Sequence, residues 1–305
     1  MSASIRSHAA AVACAAALML ALAGGATAGS LDIPVRGAGL SFGNSRTFDG
    51  LRINFRDRDL QSIRGITVSL WAPAPKSTGR IQGLSLGLVG TGAARLDGIT
   101  LNLVGAGGDR LRGLAVGGIG VGSDDFTGVG LGGLGVGGDR LRGVMAGGLG
   151  VGGDDLAGLF VGGLGVGGDR LAGLFVGGLG VGGENLDGLF IGGLGVGGED
   201  LDGVFIGGLG VGCEQLDGVA LAAGGLRAER FAGLAACGAY LRGDDLDGVG
   251  VGAWNRFGGH VEGLQIGIIN YAAALHGVQI GLLNYAGNNT RGTRWLPGLN
   301  CHFGD

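Results

Sequence analysis

Beyond its first 28 residues the chain has no long hydrophobic run. Glycines and charged turns interrupt every apolar segment, which leaves no stretch suited to a membrane-spanning helix. Net charge is also small, at -4, and gives no reason to expect nucleic acid or an anionic membrane surface as partner. There are only four prolines, and glycine does not recur at every third residue, so collagen is excluded. Cysteine is scarce: Cys14, Cys213, Cys237 and Cys301, of which three lie beyond residue 28. An odd count in an exported chain leaves at least one thiol unpaired or intermolecular. Cys213 and Cys237 replace turn glycines at two different turns of the repeat, which disfavours a disulfide between them. The abundant residue is glycine, 77 of 305. A disordered glycine-rich tract would be poor in apolar residues, whereas this chain is 46% hydrophobic, so a packed structure is expected.

The first 28 residues read as a signal peptide. Arg6 and His8 precede an alanine- and leucine-rich run over residues 9–23, and Ala26-Thr27-Ala28 offers the small residues that a signal peptidase reads. Export to the periplasm, outer membrane or cell surface follows. Cys14 lies inside the apolar run and not at its small-residue end, which argues against a lipoprotein anchor.

From Gly83 to Gly263 a glycine recurs every fifteen residues. The cleanest unit is Gly168-Asp-Arg-Leu-Ala-Gly-Leu-Phe-Val-Gly-Gly-Leu-Gly-Val-Gly182. Fixed-period repetition means that one unit cannot bury its own apolar side, so neighbours must stack. With the periodic glycine numbered as position six, position four is apolar throughout (Leu156, Leu171, Leu186), as are positions seven and nine (Leu159 and Val161, Leu189 and Ile191). A period of two predicts strand. Parity changes between positions four and seven, which places a corner or bulge at the glycine, such as Gly173. Gly177-Gly178 and Gly182-Gly183 add further turns, so each unit is expected to be a short coil with corners in an all-β, glycine-rich β-solenoid. Stacking would align the acids at position two (Asp154, Asp169, Glu184). It would also alternate the signs at position three (Arg140, Asp155, Arg170), which offsets part of the repulsion.

The rival architecture is an up-and-down antiparallel meander, closed as an outer-membrane β-barrel of about 16–18 strands with a transport role. The ending Gly298-Leu-Asn-Cys-His-Phe303 loosely matches a barrel's closing strand. Uniformly short turns and central strands almost devoid of polar residues count against it.

The expected organisation is a signal peptide (1–28), capping strands and a loop (29–80), the repeat array (81–262) and a C-terminal region (263–305). In the capping region Leu51, Ile53 and Phe55 alternate with Arg52, Asn54 and Arg56, and Ile66, Val68 and Leu70 with Thr67, Ser69 and Trp71. The apolar set is expected to face the core and the polar set water. At the other end come Gly263-Leu-Gln-Ile-Gly-Ile-Ile-Asn-Tyr271 and Gly277-Val-Gln-Ile-Gly-Leu-Leu-Asn-Tyr285. These copies, with Asn288-Asn289 and Trp295-Leu-Pro-Gly-Leu-Asn300, resemble a bacterial surface-repeat family whose units read Gly-Val-Gln-Ile-Gly-Leu-hydrophobic-Asn. The resemblance implies an exported envelope protein and brings no catalytic residues.

No motif carries enzyme chemistry, and no cofactor or metal is expected. Gly-Gly-Leu-Gly-Val at Gly177 begins like a calcium-binding nonapeptide, but Gly182 stands where the aspartate ligand belongs and the acid arrives only at Glu184. His260, His276 and His302 lack metal-ligand spacing. Arg242-Gly-Asp244 falls on a repeat turn, where Gly-Asp is the default. Phe160, Phe175, Phe190 and Phe205 have two readings. One is a core ladder reached through the corner; the other is an exposed apolar stripe for envelope components, lipid or self-association. The expected role is a structural scaffold or interaction surface, with an ice- or polysaccharide-binding repeat face as a further alternative.

Overall fold

The computed structural model describes residues 29–35, 38–75 and 78–304; the expected signal peptide, with Cys14, lies outside the described residues. These residues are all-β, 74% strand without helix, and form a β-solenoid of about sixteen coils. Successive repeats pair in parallel and in register, as in Leu156↔Leu171 and Gly158↔Gly173. A meander requires antiparallel pairing of successive repeats, so the barrel alternative is excluded. The described residues form two compact units, divided between Gly122 and Ser123.

In the first unit, Ser30–Val35 and Ala38–Gly43 make an antiparallel hairpin. Parallel coils then follow through Thr47–Asn54, Ser62–Ser69, Arg80–Gly87, Arg95–Asn102 and Gly105–Gly117. The glycine column begins well before Gly83, because Gly39, Gly50, Gly65 and Gly83 are consecutive register partners. Irregular spacing is absorbed in loops such as the one around Pro73 and Pro75, and the ladder keeps its register.

The two sides of these strands are the reverse of the sequence expectation. Arg52, Thr67 and Ser69 are fully buried, whereas Phe55, Ile66 and Leu70 are exposed. The interior accepts polar side chains because coils satisfy one another. Asp57 Oδ1 accepts hydrogen bonds from Arg52 Nη1 and Asn54 Nδ2 at 2.8 Å each, and its Oδ2 accepts one from Ser69 Oγ at 2.8 Å. Arg52 Nη1 also donates to Thr67 Oγ1 at 3.0 Å. A buried charge is tolerable only when paired and hydrogen-bonded in this way.

In the central coils of the second unit a long strand, such as Arg170–Gly177, is followed by a short one, such as Gly180–Gly182, and toward the end the segments run together, as in Trp254–Ile266. Three inward columns make its narrow core: position four (Leu156, Leu171, Leu186), position eight (Phe160, Phe175, Phe190, Phe205) and position fourteen (Val151, Val166, Val181). Volume is exchanged among the columns. After Phe205 the eighth column shrinks to Ala220 and Ala235, and the same coils bring Leu226, Phe231 and Leu241 into the core. Core packing near crystal density requires such compensation.

Gly173 sits at the corner between positions four and eight with φ +130°, and a Cβ there would overlap the carbonyl oxygen of Gly158 in the preceding coil. Both facts demand glycine. Toward the end of this unit the core turns polar. Gln265 and Gln279 take position eight, and Asn255 and Asn270 take position fourteen, all with no exposure. Asn255 Nδ2 donates to Asn270 Oδ1 and Asn270 Nδ2 to Asn284 Oδ1, each at 2.7 Å; Gln279 Nε2 donates to Gln265 Oε1 at 2.6 Å. The Gln and Asn of the Gly-Val-Gln-Ile-Gly-Leu-Leu-Asn units are therefore structural rungs. Trp295–His302 then pairs antiparallel with Ile269–Ala286 and covers the last parallel edge.

Candidate functional site

The four phenylalanines weighed as an interaction stripe are not on the surface. Each has no solvent exposure, and their rings stack face to face at 4.9, 4.9 and 5.3 Å between centroids, with nearly parallel planes. They are the core ladder. With glycine making the corner, position eight points inward, and positions seven and nine on either side of it must point outward.

The outward side chains of the second unit form three surfaces. The first is apolar. Position seven runs through Val129, Val144, Leu159 and Leu174, and position nine through Leu131, Val161, Val176 and Ile206; in register these columns carry only Val, Leu, Ile or Ala as far as Ile280. Val161 is 41% exposed and Val144 40%. The adjoining turn adds Leu149, Leu164, Leu179 and Leu194 at position twelve, each 50% exposed. An uncharged patch continuing over many coils is larger than a soluble monomer ordinarily leaves bare.

The second surface is acidic. Position two aligns Asp139, Asp154, Asp169, Glu184, Glu199 and Glu214 through backbone hydrogen bonds of 2.9–3.1 Å between successive coils. At position three the alternation of sign produces ion pairs, Arg170 Nε to Asp155 Oδ1 at 2.6 Å and Arg140 Nη2 to Asp125 Oδ2 at 3.9 Å. A groove of about 900 Å³ runs along positions three to five, with Asp187, Asp202 and Asp217 on successive coils and Asp247 and Glu262 further on. Its field attracts cations and basic groups. In the sequence the fifth position is mostly polar or alanine; alanine in the cleanest repeats hides the acidic column, which is marked by Asp-Gly at Asp187, Asp202 and Asp217.

The third surface lies on the short strands, where Gly-Val-Gly gives way to residues 225–227, 240–242 and 254–256.

Other sequence candidates are dispersed. His260 Nδ1 lies 3.6 Å from Asp245 Oδ1. His276 packs edge-on to Phe303, and His302 Nδ1 contacts Asn289 Oδ1 at 2.7 Å. Cys213, Cys237 and Cys301 are free thiols. Burial, reinforced by Asp200, pushes the Cys213 thiol up to about 12, and burial also raises Cys237, so neither is a ready nucleophile. No protein-family model matches the chain, and no curated protein or solved structure matches it significantly.

Proposed function

We propose that the protein is an exported cell-envelope scaffold that associates with a second copy of itself through the apolar face of residues 123–305. The uninterrupted seventh and ninth columns carry this reading. Eleven coils at about 4.8 Å, and about 15 Å of width including the turn leucines, give about 800 Å² per partner, the standard size for a specific interface. No charge interrupts the two columns, and ridges repeating at coil spacing let two copies interdigitate. Residues 1–28 and the resemblance of residues 263–303 to the surface-repeat family support the location. Neither reaction chemistry nor a cofactor enters the proposal.

The test is sedimentation equilibrium of the mature chain, compared with Val161→Lys/Ile191→Lys. Wild type is expected to dimerise at micromolar concentration, and the variant to be monomeric with an unchanged circular dichroism spectrum. A monomeric wild type, or a dimer unaffected by both lysines, would refute it.

A further inference from the structure

In the central coils the short strand reads Gly-Val-Gly, and its outer side is bare backbone. Three consecutive coils beyond them place arginine at the third residue of this strand. Arg227 is the register partner of Arg242, and Arg242 of Arg256, so three guanidinium side chains project from adjacent coils about 4.8 Å apart. Beside them Tyr240 pairs in register with Trp254, and both rings are 52% exposed. The Tyr240 ring occupies the space over Gly225 that a Cβ would take. Together these side chains line a groove of about 320 Å³.

The three arginines differ from others in the chain. Arg80, Arg140 and Arg170 each meet an aspartate on a neighbouring coil. Among the described residues, Arg227, Arg242 and Arg256 have no carboxylate within ion-pairing distance; the arginine contact found is Arg256 over the Tyr271 ring at 5.9 Å. Tyr271 stacks on Tyr285 at 4.7 Å, and the Trp295 ring meets Tyr285 at 4.7 Å with its plane tilted by 52°, so the arginine column continues as aromatics. Three like charges on consecutive coils repel one another unless an anion bridges them.

We infer that this column binds an acidic polysaccharide, its carboxylates on Arg227, Arg242 and Arg256 and its ring faces on Tyr240 and Trp254. Guanidinium is the planar, two-pronged partner of carboxylate, and exposed Tyr and Trp supply flat apolar platforms beside it. The ligand needs anionic groups repeated at about coil spacing together with apolar ring faces, which a chain of uronic acid units offers. The -4 net charge and the acidic second-position column disfavour nucleic acid, which would present its phosphates to the whole molecule.

The experiment is calorimetric titration of the mature chain with oligogalacturonate, with its fully methyl-esterified form, with galacturonate monomer and with oligothymidylate of equal charge. The acidic oligomer is expected to bind best. Arg242→Gln should weaken it about tenfold, the loss of one charge-assisted contact, and the triple glutamine variant about a thousandfold. Trp254→Ala should weaken binding of the acidic and esterified forms alike, because it removes the platform and not the charge. These side chains are exposed, so circular dichroism is expected to stay unchanged. Three results would overturn the inference: equal binding of the esterified form, full affinity in the triple variant, or equal binding of oligothymidylate. Dimerisation plays no part, so the Val161→Lys/Ile191→Lys protein should bind the oligomer as wild type does.

Discussion

Replacing Phe160 by alanine and, separately, its neighbour Val161 by alanine distinguishes the inner from the outer side of one coil. Phe160 has no exposure, stacks on Phe175 at 4.9 Å and faces Met145 in register on the other side. Truncating it removes the transfer free energy of a whole ring and leaves a cavity between two fixed rungs, which costs about 3–5 kcal/mol. Val161 is 41% exposed, so its truncation forfeits only part of a burial worth about 1.5 kcal/mol, and the cost is under about 1 kcal/mol. Urea unfolding followed by far-ultraviolet circular dichroism measures both. Solenoids can unfold by segments, so hydrogen exchange over residues 141–191 should accompany it, with protection lost around residues 156–175 in the Phe160 variant alone. A further variant adds Val166→Leu to Phe160→Ala and copies the exchange that the chain makes at Ala220 and Leu226; it should recover part of the loss. Equal costs for the two alanines, or a larger cost at Val161, would refute the inward placement of position eight.

Gly173→Ala should destabilise by at least about 1–3 kcal/mol, from its φ of +130° and the overlap with the Gly158 carbonyl, and a thermal melt unchanged by it would remove the corner. Asn270→Ala should cost about 2–5 kcal/mol, because it removes the acceptor of Asn255 and the donor of Asn284 inside the core; urea titration reads the loss. The Cys213 thiol has its folded value raised to about 12 from 9.0, so the folded state holds the proton more tightly than the unfolded one. Its contribution to stability is intact below pH 9 and is lost as pH rises toward 12. Cys213→Ala should flatten that decline in pH-dependent melts, and at pH 8 iodoacetamide should modify exposed Cys301 well before Cys213.

The fifteen-residue glycine announced strands, corners and parallel stacking, and the signs at Arg140, Asp155 and Arg170 announced ion pairs between coils. What could not be read was which side of the strand faces inward. In the central coils Leu159, Phe160 and Val161 are all apolar, so alternation carried no contrast, and the inner set follows from the turn that Gly158 and Gly173 impose. Around Arg52 the contrast was strong but pointed the wrong way. Asp57, Asn54, Thr67 and Ser69 satisfy one another across coils, which lets a polar column go inside while Phe55 stays out. The Arg227, Arg242 and Arg256 column was hidden for another reason. It is marked only by departure from Gly-Val-Gly on short strands, and its juxtaposition exists only once the coils are stacked in register.

Parallel stacking at one coil per fifteen residues is tested most directly by electron spin-echo distances between pairs of spin labels in a chain whose three mature cysteines are replaced by serine. Labels at the half-exposed turn leucines Leu134, Leu194 and Leu209 fall on one column. With Leu134 as reference, four coils separate it from Leu194 and five from Leu209, giving about 19 Å and about 24 Å, a step of about 4.8 Å per added repeat. Distances that rise by that step uphold the parallel solenoid. Distances that alternate between short and long as repeats are added would show successive repeats running in opposite directions and would contradict it.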